Sequence, residues 1–376
     1  MKIHTSLSSK FATLRYLVLC GFVAHAGAQT SFAASADGNN WYATSTGVTA
    51  NINQVSAVSK DFVVASGANG TLLLYQNGAW SSFTGWNTYK STNTPFGAWV
   101  NTSNMYVSAV SENEVWIGSY ASQGNILSWK NGTFTTIGMG ATQRVLRMDS
   151  FKRTDGVSIM FGMASNSKVL TYRTFDASSP GTSNIDVNGS AANFNITGVA
   201  GYDLTNMWAV GDAYLYRSEN NGASWAEFSR PSHATGNLTA VTVFDSLSAL
   251  AGTSTGDLFQ WSEAGGFGSS VLHNFGFNIN AIYAIDATKI WVAGNGGNLW
   301  YYDGTNASQI DLGTTSTLTS ISGDGTNIWV AGFNGEIYST IPEPSTLALG
   351  GSIFGFALLG AWRKRYHRVA EPLAQR

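Results

Sequence analysis

The side chains able to do chemistry are few and scattered. Arg144, Arg147 and Arg153 cluster in one stretch. Three guanidinium groups could clamp an anionic substrate, but a clamp needs a nucleophile and a partner carboxylate, and no such signature surrounds these three. A solvated loop accounts for them better. His233 and His273 lie far apart without metal-ligand spacing, and no Asp-x-Asp-x-Asp-Gly calcium loop occurs. A carboxylate pair for glycoside cleavage need only meet in space, so the sequence neither selects nor excludes one. No catalytic residue, cofactor or metal ligand is assigned.

The aromatic residues divide into two sets. Trp86, Tyr89, Phe96 and Trp99 lie in "WSSFTGWNTYKSTNTPFGAWVNTSN", Trp80 to Asn104. A polar loop carrying four aromatics is a candidate ligand-binding surface for a sugar ring or a partner, since function concentrates in insertions on a rigid scaffold. The alternative is a small satellite core. Trp116, Trp208, Trp291 and Trp329 instead recur at equivalent positions, as expected of residues packed between repeated units.

Those repeats must position everything else. "INQVSAVSKDFVVASGANGTLLLYQNGAW" from Ile52 matches "INAIYAIDATKIWVAGNGGNLWYYDGTN" from Ile279. Further units start near Asn104, Val145, Ile196, Leu238 and Leu318. Two long intervals aside, the period is about 40 residues, in the propeller range. Each unit reads as four short strands separated by turns. Asn69-Gly70, Gly296-Gly297 and Asn334-Gly335 supply the positive φ of tight hairpins. No long helical period appears. The expected fold is all-β: a seven-bladed β-propeller, with six or eight blades as alternatives. The last unit stops after its third strand, and "SADGNNWYATS", Ser35 to Ser45, is the expected fourth. An N-terminal strand placed there would close the ring. A second insertion, Thr174 to Phe194, reads as a flexible loop.

"SENNGASW", Ser218 to Trp225, resembles the Asp-box of BNR and sialidase-type propellers, with Asn220 in place of the Asp and Ser224 in place of the Thr. "SADGNNW", Ser35 to Trp41, is a shortened relative. The resemblance implies a structural hairpin and no chemistry.

Both termini read as transit elements. Lys2, Lys10 and Arg15 precede the apolar run Tyr16 to Ala24, and small residues up to Ala26 and Ala28 mark the cleavage region. Residues 1–28 are therefore expected to be a signal peptide. Cys20, the one cysteine, lies inside it, and Leu19 before it does not fit a lipoprotein signal. The body, 29–341, is then free of cysteine, and its acidic excess argues against nucleic acid or anionic lipid as partner.

Near the C-terminus Pro342-Glu343-Pro344 precedes 18 uncharged residues, 345–362, and the basic cluster Arg363, Lys364, Arg365 and Arg368. That is the length of a short membrane helix, with a basic tail (363–376) that holds its end in the cytoplasm. Motif, span and tail together resemble the PEP-CTERM sorting signal of Gram-negative bacteria. The resemblance implies, for 342–376, recognition by a membrane exosortase, with the inner membrane as a way station. It implies a final place at the cell surface or in the extracellular matrix, and an association with exopolysaccharide and biofilm. A plain single-span anchor is the alternative. The expectation is a non-catalytic binding protein for matrix polymer or another envelope component, handled in transit by signal peptidase and exosortase. The rivals are a polysaccharide-active glycosidase or lyase working in the propeller channel, and an envelope assembly factor.

Overall fold

The computed structural model describes residues 35–342, except 93–102, 121–124, 139–143, 154–155, 164–167, 175–180, 187–194, 204, 221, 264 and 269. The unit beginning at Ile52 folds as a meander. Its strands Ile52–Ser59, Phe62–Gly67, Leu72–Gln76 and Ala79–Ser82 pair antiparallel in chain order. Asn69 and Gly70 both take positive φ (56° and 65°) in the turn between the second and third strands, as do Gly296-Gly297 and Asn334-Gly335 in equivalent turns. Asn tolerates this conformation and Gly adopts it without steric cost.

Among the described residues the strands form seven such sheets. Their first strands are Ile52–Ser59, Met105–Ser111, Val145–Arg153, Gly198–Asp203, Leu238–Val243, Ile279–Asp286 and Leu318–Gly323. Each of these inner strands packs against that of the next sheet, and the seventh packs against the first, so the ring is closed. The sheets are numbered here in that order.

The seventh sheet takes only three strands from the C-terminal end of the ring, and its fourth is Tyr42–Thr44. Tyr42 lies opposite Ser339 and Thr44 opposite Ile337. This is the N-terminal closure expected from the sequence, and it leaves no free edge on Ile337–Ser339. The turn before that strand is anchored by Asp37, whose Oδ2 accepts the indole N–H of Trp41 at 3.2 Å and that of Trp291 at 2.8 Å.

The core lies between sheets. Trp329 packs with Ile52, Val63 and Tyr75, joining the seventh sheet to the first. Trp291 packs with Leu318 and Val330, and Trp208 with Leu238 and Trp261. Trp208, Trp291 and Trp329 are thus inter-sheet core, and Trp116 is likewise nearly inaccessible to solvent. The glycine that ends many second strands has a steric reason. At Gly67 and Gly294 an added Cβ would collide with the carbonyl oxygens of Asn51 and Asn278, where the chain enters the inner strand of the same sheet.

Three sequence expectations are corrected. The insertion Thr174 to Phe194 is more than a loop, because Gly181–Asp186 inside it forms the fourth strand of the third sheet. The first insertion contains a short α-helix, Trp86–Thr92, whose two turns are too brief to leave a readable period. In the fifth sheet two dipeptide strands, Gly266–Phe267 and His273–Asn274, share the place of the fourth strand. The span expected over 345–362 lies outside the described residues. Among the described residues no helix is long and apolar enough to cross a membrane.

Candidate functional site: the central channel

The inner strands enclose a polar channel of about 280 Å³ to which all seven contribute. Its wall is built by a device repeated from sheet to sheet. The second residue of an inner strand is bulged out of the ladder, as the register shifts at Asn53, Thr239, Asn280 and Thr319 show. The bulge turns that side chain toward the neighbouring sheet. Asn53 Nδ2 donates to the carbonyl of Met105, Thr239 Oγ1 to Ile279, Asn280 Nδ2 to Leu318 and Thr319 Oγ1 to Ile52. Thr197 Oγ1 makes the same bond to Leu238. Five of the seven junctions are latched in this way. The other two lie on either side of the third sheet. The second inner strand runs in register without the bulge, and the third carries Leu146 at the bulge, which has nothing to donate.

A second set of bonds lies three residues further along. There the inner-strand side chain accepts the backbone N–H of the next inner strand. Ser322 Oγ accepts from Ala57 at 2.9 Å, and Ser56 Oγ from Ala109 at 2.9 Å. At the junction of the third and fourth sheets the same place is held by Asp149, whose Oδ2 accepts from Gly201 at 2.8 Å.

Among the described residues lining the channel, Asp149 is the one carboxylate. Burial pushes its pKa up from the usual 3.8 to about 6, although the N–H groups of Gly201 and Ser150 pull the other way. Arg147, two residues earlier, also lines the channel. Its guanidinium stands over the Tyr106 ring at 5.9 Å and donates to the Leu146 carbonyl at 3.0 Å. Gln54 crosses from the first sheet to the third, where its Nε2 donates to the Met148 carbonyl at 2.6 Å. That bond fixes the orientation of the amide, and Oε1 is left buried without a hydrogen-bond partner among the described residues.

The expected site residues fare differently. Trp86 is buried, and its indole N–H donates to the Gly70 carbonyl at 2.9 Å. It packs with Phe83 and Trp129 in the core between the first two sheets and stacks on Tyr89. Tyr89 is half-buried, with its hydroxyl bonded to Thr136. The exposed shelf expected of Trp86 and Tyr89 is therefore corrected: for these two the satellite-core alternative holds. The cause is the helix, which folds Trp86 inward. Phe96 and Trp99 lie outside the described residues. The arginine cluster is corrected too, because Arg147 belongs to an inner strand rather than a loop, while Arg144 stands over Tyr120. Pro342 is exposed. Glu343, Pro344, Arg363, Lys364, Arg365, Arg368, Ala26 and Ala28 lie outside the described residues.

The half-matched Asp-box behaves as a hairpin. Ser218 Oγ accepts the Gly222 N–H, and Asn220 Oδ1 accepts that of Ser224, both at 2.8 Å. His233 and His273 each sit against phenylalanine rings. Among the described residues no three His, Cys, Asp or Glu side chains are grouped to hold a metal ion.

A closed ring of four-stranded meanders around a polar channel decides the architecture. The chain is a β-propeller. Solved propellers match it over most of their length. YCF48 bound to D1 peptide is 16% identical over 80% of this chain and 96% of that one, with a TM-score of 0.59. The WD40 β-propeller domain of Doa1 is 13% identical at the same coverages, with a TM-score of 0.60. Streptogramin B lyase is 12% identical, also over 80% and 96%, with a TM-score of 0.61. At these identities the likeness is one of fold alone. No family model and no curated protein matches the chain.

Proposed function

We propose that this protein is an exported, non-catalytic binding or scaffold propeller of seven blades, sorted to the cell surface or matrix by a PEP-CTERM-type signal. The single observation that carries the binding reading is the channel itself. Among the described residues its polar wall is made of backbone, hydroxyls, amides and the Arg147 guanidinium, and it presents one carboxylate where paired-carboxylate hydrolysis needs two. The closed and latched ring suits a rigid platform.

The placing of the chain ends supports the export reading. Tyr42 pairs with Ser339, so the segments before Trp41 and after Ile341 leave the ring at the same rim. In this reading the opposite rim is the one offered to an envelope component such as exopolysaccharide. In this reading signal peptidase and exosortase act in transit, the body passes through the periplasm, and the C-terminal helix holds it in the inner membrane until it is cut.

Mass spectrometry of the protein from fractionated Gram-negative cells tests this. The expected surface form begins at Gln29 and ends near the Pro342–Pro344 motif. Recovery only in the cytoplasm, with both ends intact, would overturn the export reading.

A further inference from the structure

The described basic side chains divide by rim. In a four-stranded meander the turns after the first and third strands lie at one rim. The turn after the second strand and the link to the next sheet lie at the other. Lys60, Lys130, Arg217 and Lys289 stand at the first rim, and each is paired there with a carboxylate: Asp61, Glu114, Glu219 with Glu263, and Asp286. Lys90, Arg144, Arg147 and Arg230 stand at the second rim, and none has a carboxylate partner among the described residues. The chain ends leave from the first rim.

Two of the unpaired four lie together. Arg144 and Arg147 reach from the third sheet to the second, where their guanidinium carbons stand 5.4 Å from the centre of the Tyr120 ring and 5.9 Å from that of Tyr106. This junction has no latch. Tyr106 is the second residue of its inner strand and holds the place from which Asn53 and Thr239 donate. Burial raises the Tyr106 pKa above its usual 10, against the pull of Arg147, and the Tyr120 hydroxyl adds to the rise, so the phenol keeps its proton. Arg147 is half-buried and lines the channel. It spends one N–H on the Leu146 carbonyl at 3.0 Å, and a guanidinium has five. The opposing charge, Asp149, lies two residues and about 7 Å further from this rim, held by the Gly201 N–H.

We propose that this end of the channel binds a small, hydroxyl-bearing organic acid, with its carboxylate on the guanidinium fork of Arg147 and Arg144 as a second cation at the rim. The planar fork matches a carboxylate better than it matches a tetrahedral anion. A half-buried guanidinium is costly to leave without an anion, and the body has an acidic excess from which a permanent partner could have come. The hydroxyls and amides of the channel wall suit a hydroxyl-bearing ligand, and about 280 Å³ admits one of six or seven carbons. This inference rests on the reading of the channel as a binding site and is independent of the export reading.

The experiment is calorimetric titration of the protein at pH 7.5 with sodium gluconate. Glucitol, its neutral analogue, and sodium sulfate are run at matched ionic strength. Gluconate should bind saturably, with a dissociation constant on the order of 1 mM, and glucitol should give no signal. Sulfate should bind more weakly than gluconate. Arg147→Gln should weaken gluconate by about tenfold or more, and Arg147→Lys, which keeps the charge and loses the fork, by less. Arg144→Gln should also weaken it, and Lys60→Gln, at the opposite rim, should leave it unchanged. The absence of a saturable gluconate signal, equal binding of glucitol, or sulfate binding as tightly as gluconate would each overturn the proposal. So would unchanged affinity in a folded Arg147→Gln or, if that variant does not fold, in both Arg147→Lys and Arg144→Gln. Such a failure with the body still found at the cell surface would remove the ligand and leave the export reading standing.

Discussion

Asp149 accepts the backbone N–H of Gly201 at 2.8 Å, in the place where Ser56 meets Ala109 and Ser322 meets Ala57. One junction of the ring is thus closed by an ionisable group, and two equivalent ones by neutral hydroxyls. The contrast separates what the fold requires from what it merely tolerates.

The latches predict their own energetics. Thr239→Val removes the hydroxyl that bonds the Ile279 carbonyl at 2.6 Å while keeping the side-chain volume. It should cost about 1–2 kcal/mol in urea denaturation, because a buried acceptor loses its donor. A loss indistinguishable from zero would mean that water replaces the latch freely.

Adding a latch should help. Leu146 occupies the bulge of the third inner strand, where five other sheets carry Asn or Thr. Leu146→Thr should gain roughly 0.5–1 kcal/mol and raise the melting temperature, provided the hydroxyl reaches the Ile196 carbonyl. A lower melting temperature would show that Leu146 contributes more by packing.

Trp86→Ala should be severe. The residue is 1% exposed and its indole N–H is bonded to Gly70. Removing it should cost about 3–5 kcal/mol by denaturation. A near-neutral effect would return Trp86 to the surface and reopen the sugar-binding shelf.

Asp37→Ala tests the closure. Asp37 Oδ2 holds the indoles of Trp41 and Trp291 together. Its loss leaves two indole donors short of their acceptor and should cost about 2 kcal/mol. Proteolysis should then open the chain first near Tyr42–Thr44. Cleavage elsewhere with the N-terminus intact would contradict that role.

The ring was legible in the sequence for a physical reason. The units starting at Ile52, Ile279 and Leu318 share the same strand alternation, the same positive-φ turn and the same glycine against a backbone carbonyl, so they announce near copies. The latch was legible as well. Ile52-Asn53, Ile196-Thr197, Leu238-Thr239, Ile279-Asn280 and Leu318-Thr319 repeat an aliphatic residue followed by a short donor. The signal was present, but its meaning depends on a bulge that composition does not reveal. Insertions were harder, because they obey no repeat. Trp86 and Tyr89 look alike in a polar loop, and only the helix turns one inward. Gly181–Asp186 was hidden because its polar residues show little alternation. Asp149 was missed because it lies in the most divergent unit, where alignment with Ser56 and Ser322 needs the observed register.

The central claim is that Asp149 carries a charge the fold does not need. Its folded pKa, about 6, is above its usual 3.8, so the native state binds more protons than the unfolded chain between those values. Stability from this group is fully present below about pH 4 and is lost as pH rises through 6. The decisive measurement is the stability difference between Asp149→Ser and wild type, by denaturation at pH 4, 5, 6 and 7. The variant should be more stable at pH 7, by about 1–3 kcal/mol, and its advantage should vanish near pH 4. A variant less stable than wild type at pH 7 would show that the carboxylate strengthens the ring, and would contradict the account.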